Sequence, residues 1–499
     1  MKVAIGKVFL RIGEAMALGF DAGESKRFRK DLGWGRRTAR DEDSAIGDGT
    51  LERIRLKAWD LRRNNAVVAG IGDRTASFTV GATGIHPQAM TDDAGWNKAA
   101  ESFWETVYSP CCDSRGRLSL YDLQWMAVAL RPTHGGMYLE MLDNGQVRPI
   151  ECERIRQPRK AVNSKEYRAG VKVDKVTGII QGYLVHSRDN NGTFGANHAE
   201  QYVEAESILP VINRPWRPDH VREIPELAPV VPTLIDIHEM NTYTLNTAKS
   251  QSGYIGFLKK GSGLGLNSSP RGSTAPTIGK RQVFEQDWGQ ILEGFPGDDL
   301  DMKSSPTPGA MHIPYVQMQY GLCASALDFP YEFLTLDFSK ANMSRMSSTL
   351  LLVNKAIRNR QSWLVNNMLH KLWCWRIAME MRDGGQLSPA PVDEQGRSQW
   401  DRVDWQPPEE PWADRQEAQQ SDVLEIQAAL TTFSAASKRR GRNFEETLRE
   451  RAREEQLIDT VAAETGVDRD RLVKMQIPGQ TDPRKDEDEK KPAGADNAK

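Results

Sequence analysis

The stretch from Phe338 to Asp383 contains neither proline nor glycine, and apolar residues recur in it at Met343, Met346, Leu350, Val353, Ile357, Leu364, Met368, Leu372, Trp375 and Met379. The steps are threes, fours and one seven, which sets these residues on one stripe of an α-helix. Asn342 stands where an N-cap belongs, and Gly384-Gly385 ends the pattern. Such a helix is a rod of roughly 60 Å, far longer than the ~11-residue helix usual in globular domains. The other face carries Lys355, Arg358, Arg360 and Lys371. A rod of this length either runs through the core of a large domain or packs against copies of itself in a ring.

A chain of 499 residues has room for about two to four domains. Its 66 Lys and Arg are balanced by 68 Asp and Glu, so net charge carries no nucleic-acid signature. Contact with DNA would need basic residues gathered on one surface. The five cysteines are Cys111, Cys112, Cys152, Cys323 and Cys374, and no CxxC occurs. An odd count without that motif fits free thiols in a reducing compartment. Residues 1–20 interrupt their apolar run with Arg11 and Glu14 and read as an amphipathic arm, not a signal peptide. No apolar run approaches the length of a bilayer span.

Along the chain, residues 21–50 are polar and read as an extended arm. Leu51, Ile54, Ala58, Leu61, Val68 and Ile71 predict helix, broken at Asn64-Asn65. Further helices are expected over 93–108 and 118–130. From His134 the period falls toward two, and Asp143-Asn144-Gly145 marks a hairpin turn. Strands are expected over 146–150, 171–173, 179–186 and 207–211, which makes residues ~50–225 one mixed α+β domain. After Pro232 a helical stripe runs through Leu234, Ile237, Met240, Tyr243, Leu245 and Ala248. Next come a Gly/Ser/Pro-rich segment, short β-like pieces over 283–295, and a helix over 316–327. After Gly384 the text loosens to WDRVDWQPPEEPW, helical patterns resume to about residue 476, and residues 477–499 read as disordered.

No catalytic motif is complete in this sequence. GSTAPTIGKR from Gly272 lacks a P-loop's first glycine, Thr274 standing there, and has Arg281 where Ser or Thr should follow Lys280. Gly261, Gly263 and Gly265 are spaced wrongly for a dinucleotide fingerprint. His238-Glu239 has no second histidine for zinc, and no GxSxG elbow occurs. Asp298, Asp299 and Asp301 read as a solvated acidic loop. Lys438-Arg439-Arg440-Gly441-Arg442 is a basic cluster in the C-terminal helices, and Lys259-Lys260 and Lys280-Arg281 are others in the insertion. No cofactor and no metal site is expected. A DNA-processing enzyme with an inserted flexible loop remains as an alternative.

Several collinear stretches resemble the portal proteins of tailed bacteriophages, in the lambda-type branch. They are FDAGESKRFRKDLGW, LKAWDLRRNNAVVAGIGDR, HGGMYLEM, RPIECERI, RPWRPDHVREIPELAPVVPTLIDI, GFPGDDLD, ALDFPYEFLTLDFSKANMSRMSSTLLLVNKAIRNRQSWLV and WQPPEEPWADRQEAQQ. The likeness spans about residues 20–455, and within it another head–tail structural component is the alternative. Arg222-Glu223 departs from it, since relatives tend to place Arg-Gly there, and this implies a local change of backbone geometry.

The resemblance implies an α+β portal fold: an N-terminal arm (1–50), a mixed α/β wing (51–225), stem helices (226–258 and 311–327), a small clip insertion (259–310), a tunnel loop and long radial wing helix (328–399), and an all-α C-terminal crown (400–476). It implies a non-enzymatic dodecameric ring at one capsid vertex, assembled in the host cytoplasm, through which double-stranded DNA is packaged and ejected. The implied partners are the terminase large subunit, the major capsid and scaffolding proteins, the head–tail connector, and DNA bound without sequence preference; no membrane is implied. Lys340, Asn342, Ser344 and Arg345 are the expected DNA-facing residues, and Lys259, Lys260, Lys280, Arg281, Asp298 and Asp299 the expected clip contacts.

Overall fold

The computed structural model describes residues 42–158, 166–188, 199–215, 217–258, 290–293, 309–339, 342–382, 384–411, 415–467 and 469. It separates into two compact units, the first ending at Arg415 and the second beginning at Gln416.

Helix α1 (Glu42–Asn64) is kinked at Gly47 and starts inside the segment expected to be an extended arm. Thr50, Leu51 and Ile54 are buried, and that burial is what turns the end of the arm into helix. The break at Asn64-Asn65 is real: the Asn65 side chain accepts from the Val67 and Val68 amides at 3.1 and 3.2 Å and caps α2 (Ala66–Val80). Strand β1 (His86–Ala89) precedes α3 (Ala94–Ser102), which continues through a π-turn at Phe103–Tyr108 to Cys111. Helix α4 (Leu120–Ala129) opens with a capping box between Ser119 and Asp122. At Gly72 of α2 a Cβ would lie 2.7 Å from the Ala129 carbonyl oxygen, so only glycine allows α2 and α4 to pack this closely.

A short helix, α5 (Arg131–His134), leads into β2 (Gly136–Met141), which pairs antiparallel with β3 (Val147–Ile150) around the expected Asp143–Gly145 turn, Gly145 having φ 81°. Strand β8 (Ile208–Ile212) pairs on the other edge of β2. A second antiparallel sheet runs in the order β4 (Tyr167–Arg168), β5 (Val171–Val173), β6 (Ile180–His186), β7 (Glu200–Glu204).

The expected first stem segment, 226–258, is helical over Val231–Gly253 (α6), and Tyr254–Leu258 form β9. Strand β10 (Gln290–Glu293) pairs parallel with β9, so two strands bracket the segment between them. Helix α7 (His312–Ala326) begins a turn earlier than the pattern predicted. Helix α8 (Tyr331–Thr335) follows, then the long rod: α9 (Met343–Leu364), a π-turn at Val365–Leu369, and α10 (His370–Glu380).

Strand β11 (Val403–Gln406) pairs antiparallel with β1, in the register His86 to Gln406. Residues 400–406 therefore belong with the first unit, not with the C-terminal helices as expected. Trp405 is the reason, because it is buried against Trp104 and Trp373, at ring distances of 6.2 and 6.3 Å.

Three cores organise this unit. One joins α3, α4, β2, the rod's second half and β11 around buried tryptophans. One joins α1, α6, α7, α8 and the first half of α9. The third lies between the two sheets. In the second unit, α11 (Arg415–Gln427), α12 (Phe433–Arg439) and α13 (Phe444–Thr465) follow in order. There Asp422 binds both Arg439 and Arg440, at 3.3 and 2.6 Å, and Glu425 binds Arg439 at 2.9 Å, so two carboxylates offset two of the cluster's four cations within the chain.

Candidate channel-facing segment and ring interface

The turn between α8 and α9 is built by local chemistry. Leu336 closes α8 in the left-handed region at φ 58°, its amide donating to the Glu332 carbonyl at 2.8 Å. The Asp337 carboxylate accepts from the Ser339 amide at 3.1 Å. The Asn342 side chain accepts from the Arg345 amide at 2.8 Å and caps α9, as the sequence predicted. Ser344 is exposed, and its carbonyl accepts from the Ser348 hydroxyl at 3.0 Å.

Arg345 is exposed but committed. Its guanidinium pairs with the buried carboxylate of Glu332 at 2.8 Å, tying the first turn of α9 back to α8. The sequence reading missed Glu332, because a pair formed across a turn leaves no periodic signal. Asn342, Ser344 and Arg345 thus come together at one helix start. Lys340 lies outside the described residues, as do Lys259, Lys260, Lys280, Arg281, Asp298 and Asp299.

The helices on either side of the insertion, and α9, carry exposed apolar residues. Tyr243 and Leu245 on α6, Ile313, Tyr315, Met318 and Leu322 on α7, and Leu351 and Leu352 on α9 are exposed. The same helices bury Leu234, Ile237, Tyr320, Cys323, Val353 and Ile357 in a shared core, so their two faces are apolar for different reasons. Exposed apolar residues gathered into one patch are the mark of an interaction surface, and these are the candidates for one.

Chemistry of other kinds finds little support among the described residues. No cluster of His, Cys, Asp and Glu is arranged to hold a metal ion. Burial pushes the Cys112 thiol up to about 12 and those of Cys323 and Cys374 up to about 11, so these three are inert at neutral pH. Cys111 is exposed and Cys112 buried. No described helix is long and apolar enough to cross a membrane.

The sequence profile of one family, described as phage portal protein, lambda family, matches residues 29–361 of the 499. The chain belongs to the lambda family of phage portal proteins. The match takes in α1 through most of α9, including both helices that flank the insertion and the turn at Asn342. Portal proteins of this family are structural, not enzymatic, and are part of the virion capsid. No curated protein matches the chain. Among solved structures, it is similar to a chain from the neck of an empty GTA particle computed with C6 symmetry, at 12% identity and a TM-score of 0.35, over 76% of this chain and 92% of that one. A score that low does not establish a shared fold, so the assignment rests on the sequence match.

Proposed function

We propose that this chain is one wedge of a dodecameric portal ring at a single capsid vertex, the conduit through which double-stranded DNA is packaged and later ejected. The family match carries this reading. The exposed apolar faces of α6, α7 and α9 support it, since a ring gives each of them a partner. In this arrangement α6 and α7 are the stem. Residues 259–310, which follow β9 and include β10, are the clip, which meets the terminase large subunit and afterwards the head–tail connector. The C-terminal helices are the crown, and the capsid and scaffolding proteins hold the ring from outside. Such a conduit does no chemistry. It needs charges that attract the DNA backbone without trapping it, and a ring multiplies every charge by its subunit number.

At the turn before α9, Lys340 and Arg345 are the cations proposed to meet DNA, with Asn342 and Ser344 as short polar neighbours. Because Glu332 already binds Arg345, the two cations divide the work: Lys340 supplies net charge, and Arg345 holds the turn in place. The Lys340→Ala/Arg345→Ala double variant should form rings in native mass spectrometry and electron microscopy yet package or retain less DNA. Packaging and retention equal to wild type would remove these residues from the channel. A full-length chain that stays single at high concentration, even with capsid and scaffold present, would remove the ring.

A further inference from the structure

A cleft of about 350 Å³ opens beside Pro225, the turn at Ala326–Asp328 and the middle of α9. Its charged inner wall is unusual. Glu226 accepts from two arginines at once, Arg131 at 2.7 Å and Arg360 at 3.3 Å. Both guanidinium groups lie over aromatic rings, Arg131 at 4.2 Å from the Trp363 centroid and Arg360 at 4.4 Å from that of Phe329. Stacking and pairing hold both planes fixed, with the Arg131 and Arg360 side chains only 12% and 9% exposed. Arg131 Nε donates to Asn213 Oδ1 at 2.7 Å, whereas its Nη1 is buried and has no acceptor.

Arg214 stands exposed at the mouth, and Asp328 and Asn359 line the rim. Three guanidinium groups thus face two carboxylates, Glu226 and Asp328, and one positive charge is left over. Burial pulls the Arg131 pKa down; Glu226 opposes this, while Arg360 and Arg214 add to it. For Glu226 burial acts upward, and the two arginines outweigh it and hold the carboxyl below its usual range. The carboxylate is therefore already used, and its charge is shared between two cations. The cleft has room for several waters; Arg214 at the mouth is its one cation without a carboxylate partner among the described residues, and Arg131 stands near it with Nη1 unpaired.

We propose that this cleft is a binding site for a small oxyanion, a carboxylate or a phosphate group, seated between Arg131 and Arg214. Two sources carry that chemistry: free phosphate, and an acidic side chain from a second copy of the chain. The site does not depend on the channel reading, because none of its residues belongs to the turn before α9.

The test uses the full-length chain titrated with inorganic phosphate at constant ionic strength, read by calorimetry and by thermal shift. Wild type should bind saturably and melt higher as phosphate rises. Arg214→Ala, an exposed position where folding is not at stake, should weaken binding about tenfold, the loss of one charge-assisted contact. Arg131→Lys, which keeps the charge and loses the planar fork, should weaken it further. Acetate that competes with phosphate marks a seat that accepts carboxylates, as a second copy would use. Phosphate binding that acetate does not displace marks a seat for the free ion. Absence of saturable binding of either anion, or binding unchanged in both variants, overturns the proposal.

Discussion

Glu223 is the residue on which the first unit's interior charges converge. Its carboxylate is fully buried and binds Arg55 of α1, Arg222 beside it at 2.8 Å, and the Tyr138 hydroxyl of β2 at 2.5 Å. Arg222 in turn donates to the carbonyls of Cys152, Ile155 and Ala169, so one ion-pair group joins a helix, both sheets and the entry to α6. In the sequence this position looked like a lost glycine; the structure gives it a carboxylate's work. Burial alone would raise the Glu223 pKa, but Arg222 and Arg55 outweigh it and bring it down to about 2, from an ordinary 4.5. The folded-state value is depressed, so the associated stability is fully present above about pH 4.5 and is lost as pH falls toward 2. Acid titration followed by circular dichroism should show wild type losing stability across that window, with a flatter slope in Glu223→Gln. At neutral pH Glu223→Gln should cost on the order of 3–5 kcal/mol in chemical denaturation, because two buried arginines lose their counter-charge. A cost below about 1 kcal/mol would mean that water or Asp48, 3.9 Å from Arg222, takes over the role.

At the scale of elements, the rod was largely legible. Its cap at Asn342, its end before Gly384 and the burial of Val353, Ile357, Leu364, Met368 and Leu372 follow from the repeat. The π-turn at Val365–Leu369 was not legible, because a turn closed by i→i+5 bonds adds a residue without altering composition. Beyond Leu372 the stripe is displaced: Trp373 and Ile377 are fully buried where Trp375 and Met379 were expected, and those two are only half-buried. Arg360 was assigned to the solvent face and is buried, since its partners Glu226 and Phe329 come from distant segments. The pairing of β11 with β1 was equally invisible across so long a separation. Trp405→Ala should therefore destabilise the whole first unit by about 3–5 kcal/mol, seen as a lower melting temperature; a purely local effect would show that β11 is a dispensable edge. Asn342→Ala should cost only about 1 kcal/mol. Hydrogen exchange should then speed up over residues 343–348 and stay unchanged beyond 360, and uniform acceleration along the rod would contradict the cap's local role.

At the scale of the whole molecule, the described residues leave apolar side chains exposed on α6, α7 and α9. Leu350, Leu351 and Leu352 are consecutive on α9, and three successive residues spread across about 200° of a helix, more than one core can cover. The structure leaves Leu351 and Leu352 at 68% and 60% exposed, while Val353, one step on, is buried. The rod's length and periodicity left two settings open, the core of a large domain or a ring of copies. The family resemblance favours the second, because a ring supplies an identical neighbour. The prediction follows from that division of labour. Leu351→Glu and Leu352→Glu place charge where the isolated chain meets only water, so folding stability should stay within about 0.5 kcal/mol of wild type. In a ring the same charges would be buried without partners, at a cost of several kcal/mol for each subunit. Native mass spectrometry should therefore show a folded single chain in place of the ring, with circular dichroism and melting temperature preserved. Rings that assemble normally from the double variant would place the subunit interface elsewhere and leave the leucine pair without a role. Loss of folding together with loss of rings would mean that the pair is covered within the chain.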